Sequence, residues 1–482
     1  MISLNELKAA VEEGLRAVEK KQGVKEAEVF ASSNRLNVFR ICYSSNIPSN
    51  ALEEPKSQEG FGLSVRVLFD NGKIGFGKED SELSMEAVKS AFEKAKASSV
   101  LDKDFHGLPA QGEKPSASLK ADKRILELDE EKAIDSAYAC ISGAFDALKA
   151  KDFRKNVNLT GEVDFLAERI AVANSNGVSE WDENSISLAT LTTILELEKD
   201  VSGMWFDSAT ALNKLNTYET GKTSAEKAQA LIKAESVGSG TYDVVLGRLA
   251  VADLFYSRFE VALSSIDAKA SPFIDKLDKV IGSEKLTIFD DGLLSGEIGS
   301  KRVTDEGLAT GRTELVRNGK LVNFLANDYY AKKFSSDKRF NSRNGFRFGG
   351  GGRHHDSEPG IAATNLVVGA GDFKEDELPA EVKNGLYIGR IWYSYPVNGL
   401  ASADFTSTMR GDSYIIRNGK IASALVPNTL RINDNLERCF KNIEALSKER
   451  KATLAWGQEA VVVTPEILVK GMRLERIAKG LY

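Results

Sequence analysis

The chain has 482 residues, a net charge of −6, and 42% hydrophobic against 28% charged residues. That length exceeds what one core holds and predicts two or three domains, and the acidic balance argues against a nucleic-acid or anionic-membrane surface. Three scattered cysteines, Cys42, Cys140 and Cys439, predict a reducing, cytoplasmic setting with no disulfide framework, and no run approaches the ~18 apolar residues of a membrane span.

The N-terminus reads as a helix, not a leader, because Ser3 and Glu6 form a capping box ahead of Leu4, Leu7, Val11, Leu15 and Val18. Gly23 is its natural stop. Ala27–Ala31 and Leu36–Tyr43 then read as two strands separated by Ser-Ser-Asn-Arg, and 44–59 as a loop. Leu63 to Phe69 alternates, turns at Asp70-Asn71-Gly72 and returns through Ile74 and Phe76, which predicts a hairpin. Helices follow at 84–97 and 129–150 around a polar connector at 102–122, where His106 is expected to be exposed. Strands are predicted at 156–159, 163–173 and 185–197, and a helix at 223–235. This mixture of antiparallel strands and helices is an α+β pattern, not alternating βαβ units. Gly-rich residues 236–240 mark the seam between an N-terminal domain, 1–236, and a C-terminal β-rich domain, 237–482.

In the second half Val244-Val245-Leu246 reads as a buried strand feeding a helix over 248–267. Val251, Phe255, Phe259, Ala262 and Ile266 mark its core face; Asp253, Ser257, Glu260, Ser264 and Asp267 mark a wet one. Asn318-Gly319 and Asn418-Gly419 each predict a hairpin, since Asn-Gly supplies two positive-φ positions. Helices are predicted at 323–334 and 433–448.

Candidate chemistry is sparse. Thr220-Gly221-Lys222-Thr223 imitates a phosphate loop, yet the required earlier glycine is Asn216, so it reads as the approach to a helix capped by Thr223. In the run 349–356, His354 is a candidate base with Asp356 or Glu358. The alternative is a mobile structural loop. As a metal site the adjacent histidines are poor, because neighbours in an extended chain point to opposite sides. Cys439 lies in a helical context where a buried thiol is the default, and the acid pairs Asp290-Asp291 and Asp305-Glu306 read as turn or solvated residues.

The order of several short motifs resembles the TldD/PmbA family. They are Gly60-Phe61-Gly62-Leu63-Ser64-Val65-Arg66-Val67, Ala173-Asn174-Ser175-Asn176-Gly177-Val178, Thr304-Asp305-Glu306-Gly307, Ala363-Thr364-Asn365 and Ala403-Asp404-Phe405-Thr406. The resemblance implies a two-domain fold with an α+β N-terminal half and a β-barrel-like C-terminal half. It also implies a zinc metalloprotease of two related subunits, in which a TldD-like chain carries His-Glu-x-x-x-His and a late cysteine ligand. Here that motif falls on Tyr256-Ser257-Arg258-Phe259-Glu260-Val261, and the cysteine on Trp456. A phenol, a hydroxymethyl, an isopropyl and an indole are not zinc ligands. The resemblance therefore implies a metal-free, TldE/PmbA-like subunit that forms a heterodimer with a zinc-bearing TldD-like partner and acts on peptides or unfolded segments. The rival readings are an autonomous non-metal hydrolase using His354, and a homodimeric peptide-binding protein without catalysis. The family's older label, modulator of DNA gyrase, gains no support from so acidic a chain.

Overall fold

The computed structural model describes residues 1–47, 51–116, 121–148, 155–198, 200–349, 352–455 and 461–477. Its first half is one antiparallel sheet of seven strands with helices on one face. The chain opens with α1 (Leu4–Glu19), whose capping box at Ser3 and Glu6 forms as its residues predict. Then come β1 (Val24–Ser44), β2 (Lys56–Phe69), β3 (Lys73–Asp80), α2 (Met85–Ala97) and β4 (Val100–Leu101). After the connector follow α3 (Lys123–Leu126), α4 (Glu130–Ala147), β5 (Val157–Asn174), β6 (Ser179–Leu195), β7 (Val201–Ala209) and α5 (Thr217–Ala230). The strand order is β4-β3-β2-β1-β5-β6-β7.

Two departures from the predicted strands have different causes. β1 carries buried polar groups, whereas Thr160, Gly161 and Glu162 of β5 are exposed or half-buried and are held in the strand by pairing with β1 on one edge and β6 on the other. β1 runs unbroken through Ser32-Ser33-Asn34, and β5 through Thr160-Gly161-Glu162, pairing with each other over most of their length. Odd residues of β1 such as Ala27, Val29 and Ala31 pack under α1 and α2, whereas Phe30 joins Ile170, Val172, Val178 and Val303 on the opposite face. Glu28, Ser32 and Asn34 also point to that second face and are buried there. Covered on both sides, the strand carries buried polar groups that look like a turn when read in isolation. Similarly, α5 begins at Thr217 with Asn216 as its cap, so Gly221-Lys222-Thr223 lies inside the helix and Thr223 caps nothing. Gly221 is there because a Cβ would meet the Cys140 carbonyl oxygen of α4 at 1.7 Å.

The second half begins with β8 (Gly240–Leu246) and α6 (Arg248–Arg258), followed by a short α7 (Leu263–Asp267). β8 lies at the middle of a nine-stranded sheet, parallel to Asn384–Ile388 and antiparallel to Ile467–Arg476. This sheet curls into a half-barrel. A six-stranded sheet that includes Ile288–Asp291 and Val461–Thr464 completes the half. One continuous apolar core fills the space between, and α6 runs through it.

Several expectations for this half give way to its packing. The helix from 248 stops at Arg258, and the backbone at Val261 instead accepts from Leu325 N–H at 2.9 Å. Phe259 turns into a cluster with Phe255, Phe273 and Phe440. The face expected to be wet is so only in part: Asp253 is buried, Ser257, Glu260 and Ser264 are half-buried, and Asp267 is exposed. The segment 433–448 is strand Leu430–Asn435, a single turn Leu436–Lys441 and strand Ile443–Leu446, and the helix expected at 323–334 is confined to Asp328–Lys333. Both Asn-Gly hairpins form with the asparagine and glycine at positive φ, whereas at Asn71-Gly72 only the glycine adopts it.

Candidate functional site

The polar face of the first sheet meets loops of the second half in a buried charged seam. Arg66 donates to both carboxylate oxygens of Glu28 at 2.8 and 2.7 Å, and Arg347 reaches the same group at 2.7 Å. Arg353 donates to Asp305 and to Asp182, each at 2.7 Å, and its backbone N–H donates to Glu168 at 2.8 Å. Asp305 and Glu306 lie in a turn, as expected, but are fully buried, which corrects the expectation of solvated residues. The same holds for Asp290, which accepts from Asn344 and from the N–H and hydroxyl of Thr364. Burial pushes the Asp290 carboxyl up to about 7, and burial together with the nearby Asp328 pushes Glu306 up to about 8. The motifs of the resemblance thus lie largely along this seam, where they join the halves.

The histidine loop sits at one end of the seam. His354 Nδ1 lies 2.7 Å from Asp356 Oδ1, so the structure brings these two candidates together. Glu358 is exposed and instead adds its charge to the surroundings of Arg66 and Arg347. The two histidine rings stack on the same side, centroids 4.4 Å apart, contrary to the alternation expected of extended chain. The strand ends at Arg353 and the chain turns through His355 and Asp356, so the alternation no longer applies.

His355 Nδ1 lies 3.0 Å from Ser32 Oγ, and its Nε2 lies 2.8 Å from Asp80 Oδ1. This Ser-His-Asp chain is unsuited to nucleophilic catalysis, because Ser32 is 0% exposed in the middle of a strand. It clamps the loop to β1, and burial holds the His355 imidazole below its ordinary pKa. Gly62 makes room for that ring, since a Cβ there would stand 2.3 Å from His355 Nε2. Cys439 is buried as expected, Cys140 likewise, and His106 is exposed.

The position assigned to the family's zinc motif is the C-terminal end of α6. The Tyr256 side chain is 43% exposed. Ser257 Oγ is spent on the Asp253 carbonyl at 2.5 Å, and Val261 is buried in the apolar core, off the helix. Glu260, the nearby carboxylate, has its pKa raised by burial and accepts from Ser265. These groups do not fit a zinc ion, and Trp456 lies outside the described residues. At the other end of α6, about 15 Å away along the helix, a cleft of about 330 Å³ opens between the halves. Trp205, Phe206 and Leu249 form its apolar wall. Several of its polar groups are paired: Lys227 with Asp412 at 2.6 Å, Tyr387 with Glu466 at 2.6 Å, and Arg248 with Glu375. Nothing in the local sequence flagged this cleft, because its walls come from seven separate stretches.

An antiparallel α+β half joined by a buried ionic seam to a curled-sheet half defines a two-part α+β architecture. The PmbA/TldA metallopeptidase domain 1 matches residues 49–99, the central domain 123–232 and the C-terminal domain 239–476, so the chain belongs to the PmbA/TldD metallopeptidase family. A metalloprotease of Methanothermobacter thermautotrophicus is 24% identical over 424 residues, covering 83% of this chain and 84% of that one. A metalloprotease PmbA homologue of Buchnera aphidicola is 23% identical, covering 89% and 91%. In fold the chain is similar to the crystal structure of TldE from Thermococcus kodakarensis, with a TM-score of 0.82 at 19% identity over 97% of this chain and all of that one. A Thermotoga maritima structure gives 0.80 at 21% identity, covering 98% and 100%. Among the described residues, no helix is long and apolar enough to cross a membrane.

Proposed function

We propose that this chain is the TldE/PmbA-like subunit of a zinc peptidase, metal-free at the position of the family's catalytic zinc motif, completing a peptide-binding chamber on a TldD-like partner that supplies the catalytic zinc. The observation that carries the reading is the end of α6. There the family's two imidazoles and its general base are replaced by an exposed phenol, a hydroxyl bonded back to its own helix and a core valine. A water on zinc needs side chains that hold the metal and a base that takes its proton, and Tyr256, Ser257 and Val261 at the motif positions supply neither. The cleft at the start of the same helix has the size and the mix of apolar wall and oriented polar groups of a small binding site, and suits a short peptide segment.

The test is reconstitution. The purified chain alone is expected to leave unfolded peptides intact, and addition of a TldD-like subunit is expected to yield chelator-sensitive cleavage and a stable heterodimer in sedimentation. Chelator-resistant cleavage by the isolated chain, abolished in His354→Ala, overturns the reading in favour of an autonomous hydrolase. Self-dimers that ignore the TldD-like subunit overturn it in favour of a binding protein.

A further inference from the structure

The histidine loop has a second property that its role as an interdomain clamp does not use. Nδ1 or Nε2 of His354 and His355 and a carboxylate oxygen of Asp356 all lie within 4.8 Å of one another, the sole such cluster of three among the described residues. Asp356 Oδ1 lies 2.7 Å from His354 Nδ1 and 3.5 Å from His355 Nε2. Ligands around a tetrahedral zinc ion with bonds of ~2.0–2.1 Å are about 3.3 Å apart, so small side-chain adjustments convert these spacings into coordination edges.

A cationic group already occupies part of this space. Lys78 Nζ lies 3.2 Å from Asp80 Oδ1 and 3.3 Å from Asp356 Oδ1, holding two carboxylates together across the seam. Lys78 is 37% exposed in its side chain and Asp80 61% exposed, so solvent lies on one side of each and leaves room for rearrangement. Moving the ammonium out and Asp80 in would replace one positive charge by a divalent one, with an Asp80 carboxylate oxygen as the fourth ligand. The outer support is also built. Metal-bound imidazole needs a partner for its other nitrogen, and Ser32 Oγ stands 3.0 Å from His355 Nδ1. A hydroxyl serves both states, donating to Nδ1 when Nε2 carries the proton and accepting from Nδ1–H when Nε2 binds a metal.

We propose that His354, His355 and Asp356, with Asp80 as fourth ligand, form a site for a zinc-class divalent cation that staples the loop of the second half to the end of β3. It is built from elements other than the α6 segment, and its role is to lock the two halves together. Two imidazoles with carboxylates select Zn²⁺ or its neighbours over Mg²⁺ and Ca²⁺.

The experiment is calorimetric titration of Zn²⁺ into the chelator-stripped full-length chain, with thermal unfolding read in parallel. One equivalent is expected to bind and to raise the Tm. His354→Ala and Asp356→Ala are expected to weaken binding at least tenfold and to abolish the Tm rise, with Co²⁺ showing the visible absorption of a tetrahedral site only in the unmodified protein. Lys78→Met, which leaves every ligand in place, is expected to tighten binding. Absence of Zn²⁺ binding, or a weaker Lys78→Met variant, overturns the staple and leaves the metal-free reading of α6 intact. Binding that survives both ligand substitutions overturns the staple and puts the metal elsewhere, which counts against that reading instead.

Discussion

Arg347 Nη2 donates to Glu28 Oε1 at 2.7 Å, and the two side chains, 319 residues apart in sequence, are 0% and 1% exposed. The bond crosses the seam between the halves. Burial alone would raise the Glu28 pKa, but the guanidinium groups of Arg66 and Arg347 overcome it and hold the carboxyl below its ordinary range. Glu28→Leu strands two buried guanidinium groups against each other and is expected to cost about 3–5 kcal/mol. Arg347→Met costs less, because Glu28 keeps its bidentate bond to Arg66. Urea unfolding of the two variants checks the order.

Glu306 and Asp290 give the protein a pH dependence of defined sign. Their folded pKa values, about 8 and about 7, lie above the ordinary 4.5 and 3.8. The native state therefore holds protons that the unfolded chain has released, so the stability these groups contribute is complete below about pH 4 and is lost as pH rises through 7 to 8. Glu306→Gln keeps an acceptor for the Asp328 N–H and removes the titration. Its Tm is expected to match the parent near pH 5 and exceed it above pH 8, a crossing that thermal scans across pH resolve.

Gly60 and Gly62 both lie under the histidine loop but differ in what they meet. A Cβ at Gly62 would stand 2.3 Å from both His355 Nε2 and the Glu79 carbonyl oxygen, whereas one at Gly60 meets His354 Nε2 at 3.3 Å. Gly62→Ala is expected to cost about 1–3 kcal/mol by overpacking. Gly60→Ala, where a partly exposed ring has room to shift, is expected to cost less than about 1 kcal/mol. Chemical denaturation separates the two.

The two Asn-Gly hairpins of the second half make a similar pair. Gly319 and Gly419 have φ of +77° and +74°, so alanine at either is strained by about 1–2 kcal/mol. At Gly319 a Cβ would additionally meet the Gly282 carbonyl oxygen at 2.3 Å, whereas at Gly419 its nearest neighbour is Ala380 at 3.3 Å. Gly319→Ala is therefore expected to be the more destabilising by at least 1 kcal/mol, measured as the difference in urea midpoint at constant m-value.

Much of the fold was legible locally. The Ser3-Glu6 box, the Asn-Gly turns and the helices capped by Ser84 and Asp129 formed where their residues called for them. Such signals act within a few residues of themselves, so a linear reading captures them. The candidate site was less legible. His354 and Asp356 meet as their spacing allowed, but the reach of His355 to Ser32 and Asp80, from strands about 300 residues away, has no local signature.

Composition and order of residues by themselves determined that the chain is an acidic α+β protein, with the PmbA/TldD motifs in sequence and no zinc-binding side chains among Tyr256, Ser257 and Val261. These are properties of which atoms are present, and packing cannot add an imidazole. Only the tertiary structure decided which polar residues are buried, where β1 and β5 continue through hydrophilic stretches, and why α6 stops at Arg258. Those outcomes depend on a second surface arriving from far along the chain. Glu28, Ser32 and Asp305 leave water only because Arg66, Arg347, His355 and Arg353 are there to take their hydrogen bonds.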